Sequence, residues 1–242
     1  MAQNTIDPYS ATLLDYQEGN TSARVLIQRE DGQRGVLPAS IYFRPPGELL
    51  PFERVALDLC HGHVLDVGAG AGVHALAVQD HGLPVTAIDI SPQAVSIMRE
   101  RGVRDARVAD IFTFQDGSFD TVLLLGNGIG LAGRLAGVVP FLRRLERLVA
   151  GSGQLLVHSV DVRCSSRAAD LAYQTANRNT GRYFGEVQVT FRYDAAIGSP
   201  FWWVHVDGDT LADLARVAGW RSEVMARQED GNYLARLTLA GA

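Results

Sequence analysis

Short apolar segments and helical segments alternate along most of this 242-residue chain. Five apolar segments are predicted to be strands: His63 to Val67, Val85 to Ile90, Ala106 to Ala109, Phe119 to Leu125 and Gln154 to Val160. Strands that are apolar along their whole length are typical of a parallel sheet with helices on both faces. The pattern therefore predicts an α/β fold with a doubly wound, mostly parallel sheet.

The end of the chain has a different pattern. A helix that carries Leu211 and Leu214 on one side ends at Gly219, and two strands follow, at Trp220 to Arg227 and Tyr233 to Leu239. The turn residues between these strands are typical of a hairpin, so the last strands are expected to be antiparallel.

Two stretches fall outside this scheme. Residues 1–50 are expected to be an irregular opening segment with one short strand, Arg24 to Arg29. The main domain, residues 51–242, is predicted to carry an insertion at about 163–206, after the fifth strand. The insertion contains a predicted helix and two aromatic-rich strands: Ser166 to Ala176, Glu186 to Tyr193 and Phe201 to Val206. Its aromatic residues either line a pocket or form the core of an added sheet, and we expect the insertion and the opening segment to close over the site.

Composition excludes several classes of protein. All 22 basic residues are arginine, so Schiff-base chemistry and the phosphate-binding lysine of a P-loop are absent. A formal net charge of −5 argues against a protein that coats nucleic acid. No apolar run has the length of a membrane helix, and Met1 to Ser10 lacks the features of a signal peptide. We therefore expect a cytoplasmic protein without a membrane partner.

A glycine loop, Gly68-Ala69-Gly70-Ala71-Gly72, joins the first strand to a helix. Glycines at such a place let a ligand approach bare backbone near a helix N-terminus, although they also suit a tight turn. The dinucleotide-binding pattern requires a third glycine where Val73 stands, and Asp66 lies two residues before the first glycine.

Polar residues follow the next three strands. Asp89 ends the second strand, Asp110 follows the third, and Asn127 lies in a second glycine loop after the fourth. Ligands of open α/β sheets bind beyond the carboxyl ends of the strands, where all these residues fall. Each aspartate alone is more simply a helix cap, but their common position favours a ligand site.

These motifs resemble those of the class I S-adenosylmethionine-dependent methyltransferases. The resemblance rests on VLDVGAGAG at 64–72, AIDIS at 87–91, VADI at 108–111 and FDTVLLLGNGIG at 119–130, and it covers about residues 60–160. It implies a Rossmann-like sheet of seven strands with one reversed strand, and S-adenosyl-L-methionine as the cofactor.

The resemblance also implies roles for individual residues. The glycine loop would lie beside the methionine part of the cofactor, Asp89 at the ribose, Asp110 with Ile111 at the adenine, and the second glycine loop near the methyl donor. Arg44 is considered as a partner of the cofactor carboxylate, and Tyr42 as a stacking partner; an exposed arginine is an equally good interpretation. The predicted cofactor-binding residues are Arg44, Asp66, Gly68, Ala69, Gly70, Asp89, Ile90, Asp110, Ile111, Gly126 and Asn127.

Histidine is the side chain best suited to act as a general base at neutral pH. His158, late on the fifth strand, and His205, after two tryptophans, are the predicted catalytic residues. The alternative for each is a histidine that is hydrogen-bonded in a partly buried wall. Cys60, His61 and His63 lack further ligands at a suitable spacing, so no metal site is predicted.

The sequence thus predicts an S-adenosylmethionine-dependent methyltransferase that acts on a small molecule. The segment Gly126-Asn127-Gly128-Ile129-Gly130 lacks the Pro-Pro-Tyr motif of the family's amine-directed nucleic-acid enzymes, which disfavours base methylation. Two alternatives stay open: a non-catalytic module that binds the cofactor, and an NAD-dependent oxidoreductase, against which Val73 and Asp110 count. The acceptor atom and the oligomeric state are not predicted.

Overall fold

The computed structural model describes residues 7–241. Its strands are β1 (Arg24–Arg29), β2 (Arg34–Pro38), β3 (Val64–Val67), β4 (Val85–Asp89), β5 (Ala106–Val108), β6 (Phe119–Leu124), β7 (Val149–Val160), β8 (Glu186–Tyr193), β9 (Ala196–Ile197), β10 (Phe201–Val204), β11 (Trp220–Arg227) and β12 (Asn232–Leu239). Its α-helices are α1 (Pro8–Gln17), α2 (Pro51–Leu59), α3 (Val73–Asp80), α4 (Pro92–Glu100), α5 (Leu135–Glu146), α6 (Ala168–Asn179) and α7 (Gly208–Val217).

Seven strands form the central sheet, in the order β11-β12-β7-β6-β3-β4-β5. The five strands from β7 to β5 are parallel, whereas β12 is antiparallel to both of its neighbours. The predicted fold class, with one reversed strand, is therefore confirmed. β7 begins at Val149 rather than at Gln154, because Val149 already pairs with Phe119 ahead of a register shift.

Helices cover both faces of the central sheet. One apolar cluster joins α5 and α7 to the sheet and includes Phe141, Leu211 and Trp220. The opposite cluster includes Phe52 of α2 and Met98 of α4. Because both faces of the sheet are buried, its strands are continuous runs of apolar residues in the sequence.

A second sheet has the order β10-β8-β1-β2, with β9 paired to β8. It combines the N-terminal hairpin with strands of the insertion, since Ile27 pairs with Phe191 and Trp203 with Val187. The strand predicted at Arg24 to Arg29 is confirmed as β1, but the expectation that the rest of the opening segment is irregular was wrong, because it also forms β2 and helix α1.

Helix α1 has a clear start but no apolar stripe. The Asp7 side chain accepts hydrogen bonds from the backbone N–H groups of Tyr9 and Ser10, and Pro8 occupies the first helical position. Leu13 packs against Ala71, Ala94 and Ile97, so α1 lies against the glycine loop and α4. The cap and this tertiary contact, rather than helical periodicity, specify α1.

Within residues 7–241, no helix is both long and apolar enough to cross a membrane. The first six residues of the N-terminal stretch from which the location was predicted lie outside the described residues.

Candidate functional site

A cavity of about 590 Å³ lies between the carboxyl edge of the central sheet and the second sheet. Its lining comes from α1, the loops after β3 to β6, and strands β8 and β10. This volume is in the usual range for a small-molecule site. The central sheet, the N-terminal segment and the insertion all contribute residues to it.

The glycine loop presents bare backbone to this cavity. Gly68 has a φ of +68°, and a Cβ added to it would meet nothing within 4 Å. Gly70, with a φ of +57°, lies beneath Tyr9, whose hydroxyl would be 2.9 Å from an added Cβ. Both positions require glycine because their backbone is left-handed, and the space beside Gly68 is open to a ligand.

Asp89 ends β4 at the bottom of the cavity and is buried. Its Oδ2 accepts the backbone N–H of Gly70 and its Oδ1 that of Ser91, each at 2.9 Å. Burial raises the pKa of Asp89, and these two hydrogen bonds oppose the rise. Each carboxylate oxygen has a further lone pair, so Asp89 can accept two neighbouring hydroxyl groups of a ligand.

Asp66 lines the cavity from the end of β3 and is 1% exposed. Its Oδ2 has no hydrogen-bond partner among residues 7–241, and burial raises the pKa of this carboxyl group. An unpaired buried oxygen costs free energy, so a donor supplied by a ligand would satisfy it.

The far end of the cavity is apolar. Ile90 is 71% exposed and Phe112 is 49% exposed, and both line the cavity together with the buried Ile111. Asp110 also lines the cavity, and its Oδ1 accepts the backbone N–H of Phe112 at 2.9 Å. Exposed apolar side chains around one carboxylate suit a flat ring that carries an amino group.

Most of the predicted cofactor residues meet in this cavity, and some do not. The predicted residues that line it are Asp66, Gly68, Ala69, Asp89, Ile90, Asp110, Ile111 and Gly126. Gly70 is not a lining residue but donates its backbone N–H to Asp89, which is one. Four other predicted residues are also absent from the lining: Arg44, Asn127, His158 and His205.

Arg44 is held on another carboxylate. Its Nη1 and Nη2 each donate to Glu53 at 2.8 Å, and its Nε donates to the carbonyl of Ile41. Glu53 also lies 3.1 Å from Nε2 of His74, a residue that lines the cavity. Burial alone would raise the pKa of Glu53, but His74 and Arg44 lower it to about 2. The guanidinium of Arg44 therefore neutralises the buried negative charge of Glu53.

His158 is buried, with both ring nitrogens engaged. Its Nδ1 accepts the backbone N–H of Asn127 at 2.7 Å, and its Nε2 lies 2.9 Å from Oδ1 of Asn232. The ring stacks on Phe52 with centroids 4.0 Å apart. Burial lowers the pKa of His158 to about 4. This histidine is neutral and supports the loop after β6.

His205 contacts the side chain of the same asparagine. Its Nδ1 lies 3.1 Å from Nδ2 of Asn127, which has a left-handed backbone with a φ of 60°. Burial lowers the pKa of His205 to about 4. The two histidines fix the conformation of the second glycine loop, and the structure brings neither to the cavity.

Aromatic residues of the insertion line the cavity, which is one of the two roles considered for them from the sequence, whereas the part played by Tyr9 was not predicted. Tyr9, Phe191, Phe201 and Trp203 line the cavity together with Tyr42. Burial raises the pKa of Tyr42 to about 12. The Asp7-Pro8 cap is a sequence signal that could have predicted the start of α1. The contact of Tyr9 with the glycine loop was not predictable, because it joins residues far apart in the chain.

Within residues 7–241, no group of three or more His, Cys, Asp or Glu side chains is arranged to hold a metal ion. His63, one of the residues considered for this role, has its Nε2 3.0 Å from the hydroxyl of Thr86.

Comparisons with known proteins agree with this fold. The family described as "Methyltransferase domain" matches residues 65–157. An S-adenosylmethionine-dependent methyltransferase from Bacteroides fragilis, solved in complex with S-adenosyl-L-homocysteine, is 34% identical, with 97% of this chain and 95% of that chain covered and a TM-score of 0.84. This chain therefore belongs to the class I S-adenosylmethionine-dependent methyltransferases.

More distant relatives share parts of the chain. A ubiquinone biosynthesis O-methyltransferase from Xanthomonas oryzae is 28% identical over 120 residues, which are 46% of this chain and 48% of the relative. A demethylmenaquinone methyltransferase from Tropheryma whipplei is 34% identical over 99 residues, 39% of this chain and 40% of the relative. This chain thus spans about half the length of the first of these curated relatives and 40% of the length of the second. The CcbJ methyltransferase from Streptomyces caelestis, 14% identical with a TM-score of 0.61, covers 83% of this chain and 95% of its own length and shows the fold alone.

Proposed function

We propose that this protein transfers the methyl group of S-adenosylmethionine to a small-molecule acceptor. The observation that carries the proposal is that one cavity of about 590 Å³ joins the carboxyl-edge residues of the central sheet to the aromatic wall of the second sheet. Because α1 and β8 contribute Tyr9 and Phe191 to the lining, the acceptor must fit beneath them.

The residues at the carboxyl edge fit the cofactor. We assign the adenine to the apolar end formed by Ile90, Ile111 and Phe112, with Asp110 accepting from the amino group. Asp89 would accept the two ribose hydroxyls, and the open backbone at Gly68 would receive the methionine part. The unpaired Oδ2 of Asp66 would accept from the methionine amino group. The bound cofactor supplies an activated methyl group.

The protein chain holds the acceptor in position relative to the methyl group and excludes water from the cavity. We propose that residues 7–50 and the insertion at 163–206 act together as the cover, since their strands share one sheet and their aromatic residues line the same cavity. His74 is the histidine among the described lining residues, and Glu53 holds its Nε2. We therefore assign no general base to His158 or His205.

The named relatives and the composition of this chain support a small acceptor. The relatives from Xanthomonas and Tropheryma are named for methylation in ubiquinone biosynthesis and of demethylmenaquinone. The formal charge of −5 and the glycine loop at 126–130 give no support to a nucleic-acid substrate.

Methyl-labelled S-adenosylmethionine tests the proposal. The purified protein is incubated with the label and with host-cell extract, and the products are separated by size. We expect label in the small-molecule fraction and its loss with Asp89→Asn. The label should be retained with Asp80→Asn, which removes the same charge at an exposed position outside the cavity. Label in the macromolecular fraction would contradict the proposal. Measured cofactor binding without transfer would instead favour a non-catalytic binding module.

A further inference from the structure

Five aromatic rings form a continuous series along one wall of the cavity. Tyr42 meets Tyr9 edge-on at 5.2 Å between centroids, and Tyr9 lies 6.3 Å from Phe191. Phe191 meets Phe201 edge-on at 4.9 Å, and Phe201 meets Trp203 edge-on at 6.1 Å. All five line the cavity.

The ring series joins the two glycine loops. At one end, the Tyr9 hydroxyl and the Tyr42 ring lie over Gly70. At the other end, the Trp203 indole lies on Gly130, where an added Cβ would overlap Nε1 and Cε2. The wall therefore runs over both loops, including the one after β6 that supplies Gly126 and Gly128 to the lining.

Strand alternation places three of these rings, those of Phe191, Phe201 and Trp203, on one face of the second sheet. Phe201 and Trp203 are two residues apart on β10, so their side chains share a face, and Trp202 between them points to the other face. On that other face the Trp202 ring packs beneath the guanidinium groups of Arg134 and Arg182, at 4.5 and 5.0 Å. The sheet thus separates an apolar aromatic face from an arginine-covered one.

The cavity side of this sheet offers few polar groups. The second sheet and its connecting turn contribute Phe191, Gly198, Ser199, Phe201 and Trp203 to the lining, and Ser199 is the hydroxyl-bearing residue among them. A sugar packed against this sheet would find few hydrogen-bond partners on it, and each hydroxyl buried without a partner costs free energy. A flat ring would instead meet ring faces and edges in the geometry that aromatic pairs prefer.

We propose that the acceptor is a compound with a planar aromatic ring, which this wall holds by ring–ring contacts. The inference rests on the proposed function, since it places the ring beside the cofactor end of the same cavity. Phe191, Phe201 and Trp203 are then specificity-determining residues, and the carboxylates Asp66, Asp89 and Asp110 serve the cofactor.

Calorimetric titration with small probes tests the ring site. The purified protein is titrated with 2-naphthol, with glucosamine and with cyclohexylamine, both alone and saturated with S-adenosylhomocysteine. We expect 2-naphthol to bind at least tenfold more tightly than the sugar or the aliphatic amine. Tighter binding of glucosamine or cyclohexylamine would overturn the proposed acceptor class.

Matched variants locate the binding. Phe201→Leu and, independently, Phe191→Leu are expected to weaken 2-naphthol at least tenfold, while the affinity for S-adenosylhomocysteine changes less than twofold. Trp202→Leu changes the neighbouring residue on the opposite face and should leave 2-naphthol binding within twofold. Equal effects of Phe201→Leu and Trp202→Leu would overturn the site. Failure of S-adenosylhomocysteine to bind would contradict the proposed function instead, and the titration without it would still decide the ring site.

Discussion

The backbone N–H of Asn127 donates a 2.7 Å hydrogen bond to Nδ1 of His158. This bond makes the histidine an acceptor, so its proton lies on Nε2, which faces Oδ1 of Asn232. A histidine that must stay neutral and holds a loop at a left-handed asparagine has a structural task. Its contribution should therefore be visible in stability rather than in proton transfer.

His158 should make the fold less stable in acid. Its pKa is about 4 in the fold against an ordinary value of 6.5, so the unfolded chain binds the proton first as the pH falls. The stabilising contribution is complete above pH 6.5 and is lost between pH 6.5 and 4. Between pH 7.5 and 5 we expect a loss of about 2 kcal/mol from this group. Urea unfolding at both pH values measures this loss in the free energy of unfolding.

The matched variants for this experiment are His158→Gln and His61→Gln. Glutamine does not titrate, so His158→Gln should lower the stability at pH 7.5 and reduce its decline towards pH 5. His61 is exposed, and its replacement should leave the decline unchanged. If both variants kept the full decline, His158 would not be the buried neutral group described above.

Arg44 should matter for stability more than for cofactor affinity. Arg44→Met removes the two-pronged partner of Glu53, whose side chain is 3% exposed. Breaking a buried ion pair on one side costs about 3 kcal/mol, whereas replacing both members costs less. Urea unfolding should show Arg44→Met less stable than Arg44→Met/Glu53→Leu. A weakened affinity for S-adenosylhomocysteine without a loss of stability would instead favour the carboxylate role considered from the sequence.

The central sheet was predictable because its signals are local. Each of the strands β3 to β6 is an apolar run, and its observed ends lie within one residue of the prediction. Ser91 caps α4 through the backbone N–H of Ala94, and Pro92 occupies its first position, which are the residue types that favour a helix start at these places. Because the carboxyl ends of parallel strands share an edge, Asp89 and Asp110 reach one cavity.

The remaining features depend on contacts that are remote in the chain. The position of His158 at the end of β7 was predictable, but strand alternation does not show which face its ring occupies, and the ring packs on Phe52 of α2. The partner of Arg44 was not predictable, because Glu53 lies on a helix beyond the Pro45-Pro46-Gly47 turn. Tyr9 reaches the cavity through the packing of α1, and no periodic apolar pattern in the sequence predicts that packing.

Gly130 should not tolerate a side chain. An added Cβ would overlap the indole of Trp203, so Gly130→Ala must displace that ring. We expect a loss of about 2 kcal/mol from overpacking, measured by urea unfolding. Gly151→Ala is the control, because nothing lies within 4 Å of its added Cβ. In a Trp203→Leu background the cost of Gly130→Ala should fall, and an unchanged cost would show that the indole does not require this glycine.

Asp89 should control cofactor affinity. Asp89→Asn replaces one carboxylate oxygen with an NH₂ group, which cannot accept the N–H of Gly70 or Ser91 and offers fewer lone pairs to ligand hydroxyls. Hydrogen bonds to a charged group contribute about 1.5–3 kcal/mol, and every 1.4 kcal/mol is tenfold in affinity. We therefore expect S-adenosylhomocysteine to bind at least tenfold more weakly by calorimetry, while Asp80→Asn binds as the unchanged protein does. Thermal unfolding of both variants separates a loss of affinity from a loss of fold, and an affinity within twofold for a folded Asp89→Asn would place the ribose elsewhere.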